Sequence, residues 1–352
     1  MRALDTRCGT VPAHSLRPKA LKVPLLRFSG GTRRLLSVMS AFALAFGFAS
    51  SAAAQETPFP GKGTIEITVL FPAGSSADIT ARLLAEGMAR RLDATVIVVD
   101  RPGAGGAIGY KYVAHQKPNG YSLVWNSNSI STTHYAGQLD IDYRAFDPVA
   151  RVLVESPVVA VRKEAKWKTL SELMTDAKSS PEAITIGNSG MGSHTHISSV
   201  ALSTAAGAKV LDVPFSTSQV IPSLLGGQVD AIIQLPAVLG PYVQSGAIRI
   251  LATLTSARDP AFPDVPTARE QGYDVALDAW RGIAVPKGTP PAVIAKLEQA
   301  IRETVASPEF ISAAEKFRIR PAFLPAAQFG RMIEHEDAEL AKIMQLIGLK
   351  QQ

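Results

Sequence analysis

Cysteine is almost missing from this sequence: among 352 residues there is one, Cys8, close to the first residue. A chain with a single thiol forms no internal disulfide, and beyond Cys8 no thiolate is available for catalysis or metal binding. Long apolar runs are missing as well. The run from Leu35 to Ala49 has 15 apolar or small residues, fewer than the roughly 20 that a membrane-spanning helix needs.

This short apolar run has the surroundings of an export signal. Arg33 and Arg34 precede it, and an Ala-x-Ala site ending at Ala54 follows it. A charged segment, a short apolar segment and a small-residue site are typical of a cleaved secretion signal. We therefore expect residues 1–54 to be a signal peptide with an N-terminal extension, and the mature protein to be exported and soluble. The alternative is an N-terminal membrane anchor.

The mature part of the chain also lacks an excess of basic charge. Residues 1–54 carry eight Lys or Arg and one Asp, a net charge of +7, while the whole chain carries +6. The remaining 298 residues therefore carry a net charge of −1. No basic surface is left to attract nucleic acid or an anionic membrane, so neither is expected as a partner.

Apolar runs with the length of strands alternate with helical patterns through most of the mature chain. This alternation predicts an α/β protein with parallel or mixed sheets covered by helices. The predicted strands are 64–71, 94–100, 121–127, 183–189, 209–215, 230–236 and 248–255. The predicted helices are 77–92, 107–115, 194–205 and 219–226, followed by three near the end of the chain, 291–307, 307–317 and 326–348.

Two apolar stretches, 149–163 and 273–286, are the expected crossovers between two lobes. If the chain leaves one lobe at the first stretch and returns at the second, it forms two α/β lobes joined by a double hinge. The lobes would then be 62–156 plus 274–352, and 157–273. A ligand would bind in the cleft between them.

The turn Phe71–Arg82, FPAGSSADITAR, connects a strand to a helix. Amides at a helix N-terminus have no intrahelical acceptor and lie at the positive end of the helix dipole, so they favour an anion. The alternative is a simple helix cap made by a serine. No Gly-Lys-Ser/Thr follows, so the turn is not a phosphate-binding P-loop. The candidate ligand-binding residues here are Phe71, Ala73, Gly74, Ser75, Ser76 and Asp78.

A second strand-to-helix turn, Gly187–His196, has the sequence GNSGMGSHTH. It offers another helix N-terminus to an anion. The nucleophile-elbow pattern GxSxG is not met, since position 191 is methionine. His194 and His196 are two residues apart and point in different directions on a helix, so we expect no metal site. The candidate ligand-binding residues here are Ser189, Gly190, Gly192, Ser193 and His194.

Further candidates lie where other strands end. Asn126 and Asn128 follow one strand, at the edge where α/β proteins bind ligands, and Phe215 and Thr217 belong to a third strand-to-helix turn, FSTSQ. Trp280 lies at the second crossover, where it either stacks on a ligand or packs the hinge. The neighbouring Arg281 either pairs with a carboxylate or is a solvated surface charge.

Several kinds of chemistry are not indicated. The glycines of residues 100–109 are spaced GxGGxxG, which differs from the dinucleotide pattern GxGxxG, so a tight turn is the preferred interpretation. We find no nucleophile with a base, no paired acid and base carboxylates and no metal-ligand spacing. We therefore expect no enzymatic activity, no cofactor and no metal.

Six motifs in order resemble one family. They are FPAG-x-x-x-D-x-x-AR, RPGAGG-x-IG, PNGY-x-L, GNSGMGSHTH, the VPF turn before LLGGQVD, and W-x-G-x-x-x-P-x-GTP, and the resemblance covers residues 62–350. The chain is similar to the Bug family, the TctC-type periplasmic substrate-binding proteins of tripartite tricarboxylate transporters.

The resemblance implies a type II periplasmic-binding-protein fold and a monomer in the periplasm. It implies capture of a small carboxylate for membrane permease subunits, with the ligand held by amides of the two turns. Phe215 and Thr217 stand where this family commonly has an aromatic-x-glycine sequence, which favours a carboxylate without an ammonium group. The alternatives are a sensor that presents its ligand to a membrane histidine kinase and a secreted enzyme on the same scaffold.

Overall fold

The computed structural model describes residues 59–346 together with residues 348 and 349. These residues belong to one compact unit. The predicted signal peptide, residues 1–54, lies outside the described residues. Within the described part of the chain, no helix is both long and apolar enough to cross a membrane.

The first sheet has six strands in the order β11-β4-β10-β3-β1-β2. β1 pairs in parallel with β2 and β3, whereas β10 is antiparallel to both β3 and β4. Its central strands are apolar because helices cover both faces of the sheet. The six strands are β1 Ile65–Val69, β2 Val96–Asp100, β3 Ser122–Asn126, β4 Phe146–Glu155, β10 Ala279–Pro286 and β11 Arg320–Pro325.

The second sheet has five strands in the order β7-β6-β8-β5-β9. β6 is parallel to β7 and β8, and β5 is antiparallel to β8 and β9. This mixture of parallel and antiparallel pairs agrees with the prediction. The five strands are β5 Val158–Arg162, β6 Thr185–Asn188, β7 Leu211–Pro214, β8 Ala231–Gln234 and β9 Ile248–Thr253.

Ten α-helices occur in the described residues. The N-termini of two of them, α1 and α5, belong to the candidate functional site. Short 3₁₀ turns occupy Ala104–Gly106, Tyr143–Ala145, Pro236–Val238 and Arg269–Gln271. The helices are α1 Ser76–Leu92, α2 Ala107–Ala114, α3 Ser129–Tyr135, α4 Leu170–Ser179, α5 His194–Ala206, α6 Thr217–Leu225, α7 Gly240–Gln244, α8 Pro291–Val305, α9 Pro308–Lys316 and α10 Ala326–Leu346.

Each sheet has its own hydrophobic core. The largest cluster around the first sheet includes Ile67, Trp125 and Ile283, and a separate cluster around the second includes Val161, Leu173 and Ile233. The chain passes between the sheets at β4 to β5 and again in the segment before β10, which are the two predicted crossovers. The boundaries predicted for the two lobes stay a prediction.

Candidate functional site

The first strand-to-helix turn combines a helix cap with free amides. Ser75 is the N-cap of α1, and its hydroxyl accepts a hydrogen bond from the Asp78 amide at 3.2 Å. Gly74 has φ +76, a left-handed conformation that favours glycine. The amides of Ser76 and Ala77 donate to no described residue. The two interpretations of this turn are therefore compatible, because the cap leaves two donors unused.

The N-terminus of α5, which follows strand β6 of the second sheet, has the same arrangement. Ser193 is the N-cap, and its hydroxyl accepts from the His196 amide at 3.2 Å. The Ser189 amide donates to the Thr195 hydroxyl at 2.9 Å, which holds the glycine turn against the helix. Within the described residues, the amides of His194 and Thr195 have no acceptor.

These two helix N-termini line one small cavity of about 30 Å³. This volume holds one or two water molecules or a group of similar size. Four free amides, two from each helix, therefore belong to residues around the same space, where helix dipoles favour negative charge. The lining residues are Phe71, Ser75, Ser76, Ala77, Ser189, Ser193, His194, Thr195, Thr217, Gln234, Leu235 and Arg281.

Arg281 brings a full positive charge to this inner cavity. Its side chain is buried, and its Nε lies 3.5 Å from Oε2 of the buried Glu155. Neither of these two atoms has a hydrogen-bond partner. The terminal nitrogens of Arg281 donate no hydrogen bond to a described residue, so most of the donor capacity of the guanidinium is unused.

Glu155 does not line the cavity, although its hydrogen-bond partner Ser76 does. The hydroxyl of Ser76 donates to its Oε1. Burial raises the pKa of the Glu155 carboxyl, while Arg281 and Ser76 oppose this shift by favouring the charged form. Glu155 faces Ala279 in the pairing of β4 with β10, and Arg281 follows two residues later on the same face of the sheet.

His194 is neutral in the cavity wall. Its Nε2 donates to the Leu277 carbonyl at 2.9 Å, because a carbonyl can only accept. Burial lowers the pKa of the imidazole to about 4, and the positive charge of Arg281 contributes in the same direction. The arrangement therefore offers amides and one guanidinium to an anion, with no second cation at histidine.

Eight of the sixteen predicted residues are found at the inner cavity or the groove beside it. Seven line the cavity itself: Phe71, Ser75, Ser76, Ser189, Ser193, His194 and Thr217. The eighth, Gly190, lies in an adjoining groove of about 380 Å³ that shares Phe71, Ser189 and Thr217 with the cavity. The cleft is therefore lined by both predicted turns.

Asp78 and Asn126 contact protein groups instead of the cavity. The Asp78 carboxylate accepts from the Gly74 amide at 2.8 Å and pairs with Arg82 at 2.6 Å, so it orders the first turn. Asn126 accepts from the buried Tyr110 hydroxyl at 2.8 Å. Both side chains position the site without lining it.

Asn128 and Trp280 meet at the C-terminal helix α10. Both donate hydrogen bonds to the carboxylate of Glu336, and the Asn128 side chain also accepts from the Trp280 amide at 3.1 Å. The indole packs edge-on against Phe329, with ring centroids 5.1 Å apart. In this arrangement Trp280 packs the crossover, which was one of its two predicted roles.

Four other predicted residues do not line the cavity. Gly74 lines a separate groove of about 630 Å³, and Ala73 beside it is exposed. The Gly192 carbonyl accepts from the Thr132 hydroxyl at 3.1 Å, which links the second turn to α3. Phe215 packs with the apolar cluster beneath the second sheet and does not reach the cavity.

Sequence reasoning missed Glu155 and left Arg281 undecided between a carboxylate partner and a surface charge. A signal for both was present. Each is a charged residue within a largely apolar run, one at each predicted crossover, and buried charges need partners. Thr195, Gln234 and Leu235 also line the cavity, and nothing in their spacing distinguished them from ordinary core residues.

A model of a known family matches most of the chain. The family model described as "Tripartite tricarboxylate transporter family receptor", TctC, matches residues 80–349. The protein BugT of Bordetella pertussis is 31% identical over 324 residues, which cover 90% of this chain and 98% of BugT.

Two solved structures extend the similarity to the fold. A TctC solute-binding protein from Polaromonas is 31% identical with a TM-score of 0.65, and the match covers 82% of this chain and 99% of that one. MatC from Rhodopseudomonas palustris, solved with bound malate, is 28% identical with a TM-score of 0.73, covering 81% and 99%. These similarities confirm the predicted two-lobed type II binding-protein fold.

Proposed function

Because the chain belongs to the TctC family of tripartite tricarboxylate transporter receptors, we propose that it captures a small organic acid in the periplasm and delivers it to a transporter of that type. The family consists of periplasmic solute-binding proteins. The proposal has three specific parts: the ligand is a carboxylate, membrane permease subunits are the partners, and the protein is a monomer.

One observation carries the carboxylate assignment: two helix N-termini from different sheets converge on one cavity with four free amides. Neutral donors at helix ends bind a carboxylate without a bound metal or cofactor. Arg281 adds positive charge on the same wall. The malate in MatC is consistent with this ligand class.

A thermal-shift panel of organic acids tests the ligand class on the purified mature protein. A ligand at about 100 times its dissociation constant stabilises the folded protein by about 2.7 kcal/mol. We expect at least one carboxylic acid to raise the melting temperature and neutral analogues of the same size, such as the primary amides, to leave it unchanged. If no acid in a broad panel stabilises the protein, the carboxylate assignment is wrong.

Delivery to a permease needs a separate experiment. We expect cells that carry the binding protein and its membrane subunits to take up the stabilising acid, and cells without the binding protein to lose this uptake. Uptake that persists, together with ligand-dependent phosphorylation of a membrane histidine kinase, would indicate a sensor instead. The acid should be recovered unchanged after incubation with the protein, because we propose binding without turnover.

A further inference from the structure

Arg281 and Glu155 form an incomplete ion pair beside the cavity. An ion pair that only stabilises the fold satisfies the donors of a buried guanidinium, because leaving them unpaired is costly. Here the distance of 3.5 Å between Nε and Oε2 exceeds a hydrogen bond, and both atoms are unpartnered. The ion pair with Glu155 therefore leaves hydrogen-bond donors of the Arg281 guanidinium without an acceptor.

Arg281 and the four residues that have free amides line the same cavity. Arg281 lines this cavity, whereas Glu155 does not. A guanidinium presents parallel N–H donors that match the two oxygens of a carboxylate. A carboxylate placed there would lie among residues that supply both kinds of donor, the Arg281 side chain and the free amides of α1 and α5.

The lining also indicates what the ligand lacks. Among the described residues, neither the inner cavity nor the two grooves that share lining residues with it has an acidic side chain. An ammonium group next to the ligand carboxylate would lie near Arg281 and two positive helix ends with no carboxylate to pair with. The site should therefore disfavour α-amino acids.

We propose that Arg281 forms a direct ion pair with the ligand carboxylate, and that Glu155 is a positioning residue that fixes the orientation of the guanidinium. On this basis the ligand is a carboxylic acid without an α-ammonium group. The inference rests on the proposed function, since it assigns a residue and a ligand class to the same site.

The first test compares matched pairs of acids that differ by the α-ammonium group. Suitable pairs are succinate with aspartate, glutarate with glutamate, adipate with 2-aminoadipate, and 3-phenylpropionate with phenylalanine. We expect the acid of at least one pair to bind the wild-type protein at least tenfold more tightly than its amino acid in calorimetric titration. Equal or tighter binding of the amino acid in every pair that binds would overturn the ligand class.

The second test separates a ligand contact from a structural ion pair. Arg281→Met alone leaves Glu155 buried without a counter-charge, so the test variant is the double substitution Arg281→Met with Glu155→Gln, which removes both charges. We expect it to fold, as measured by circular dichroism and thermal melting, and to bind the preferred acid about 10- to 100-fold more weakly. Arg281→Lys should lie between this variant and wild type, because lysine keeps the charge without the planar fork.

The outcomes are distinct. A folded double variant that binds the acid as tightly as wild type would show that the pair is structural only, and the proposed capture of carboxylates would stand. A wild-type protein that binds no acid of the panel would overturn the proposed function together with this inference. Arg151→Met serves as a matched control, since Arg151 lines a groove next to α10 and does not line the cavity. This variant should bind the acid with the affinity of wild type.

Discussion

Glu336 shows how one half-buried carboxyl is tied to the crossover between the lobes. It accepts hydrogen bonds from Trp280 and Asn128, and it lies near Asp278 and Arg151. Burial raises the pKa of this carboxyl to about 7, while the two hydrogen bonds oppose the shift. The folded protein therefore prefers the protonated form of a group that ionises near 4.5 in the unfolded chain.

This pKa predicts a loss of stability as the pH rises. Between about 4.5 and 7 the folded protein holds a proton that the unfolded chain has released. The contribution is complete below the lower value and disappears as the pH rises through the higher one, with a size of as much as about 3 kcal/mol. We expect the free energy of unfolding of Glu336→Gln, which stays neutral, to fall less than that of wild type between pH 5 and 8 in urea denaturation.

His194 also changes the stability of wild type with pH, so the effect of Glu336 has to be measured as the difference between wild type and Glu336→Gln. Its pKa is lowered from 6.5 to about 4, so its contribution to stability is complete above 6.5 and is lost as the pH falls through 4. Over pH 4.5 to 6.5 the two groups act in opposite directions, and wild-type stability alone can look flat. The difference between wild type and Glu336→Gln isolates the carboxyl. A difference that does not change between pH 5 and 8 would contradict the assigned pKa.

At the scale of elements, the site depends on the first turns of α1 and α5. In each, one serine caps the helix and the next two residues leave their amides free. The cap and the binding site are thus made by the same few residues, and fraying of the first turn would displace the donors. Capping therefore contributes to ligand affinity as well as to stability.

Removing one cap tests this coupling. We expect Ser75→Ala to destabilise the protein by about 1 kcal/mol, as is usual for a lost N-cap, and also to weaken binding of the preferred acid. Thr169→Ala is the control, because Thr169 caps α4 in the same way but does not line the cavity. Similar losses of stability with weaker binding only in Ser75→Ala would support the coupling. Equal affinities in the two variants would contradict it.

At the scale of the whole molecule, single hydrogen bonds connect the second turn to other parts of the chain. Thr132 on α3 donates to the Gly192 carbonyl at 3.1 Å, and His194 donates to the Leu277 carbonyl at 2.9 Å. The Thr132 contact joins an element of the first sheet's lobe to the second turn. In this form of the molecule the cavity has a volume of about 30 Å³.

Thr132→Val should shift the molecule toward a more open form. The substitution keeps the shape of the buried side chain and removes one hydrogen bond, which contributes about 0.5–1.5 kcal/mol. Because a ligand held by both lobes binds the closed form better, we expect affinity to fall several-fold. Small-angle scattering should give a larger radius of gyration for the ligand-free variant than for ligand-free wild type. Identical radii and affinities would contradict the role of this contact.

Local patterns in the amino-acid order predicted most of the elements. The strands at 64–71 and 183–189 and the helices that follow them were predicted because apolar periodicity, serines and glycines mark strand ends and helix starts. Several elements were missed, among them α3, α4, α7 and β11. β11 contains Pro321 and Pro325 and exists because it pairs with β4, and α3 has the weak helix formers of SISTTHY.

The amino-acid order also identified the two turns that line the cavity, because a capped helix start is a local property. What it could not decide is which polar groups remain free once the chain has folded. Asp78 is occupied by Gly74 and Arg82, and Asn128 by Glu336. Arg281 donates no hydrogen bond to a described residue, although Glu155, more than a hundred residues away along the chain, lies 3.5 Å from its Nε. Such pairings depend on strand register and lobe packing, and these exist only in the folded molecule.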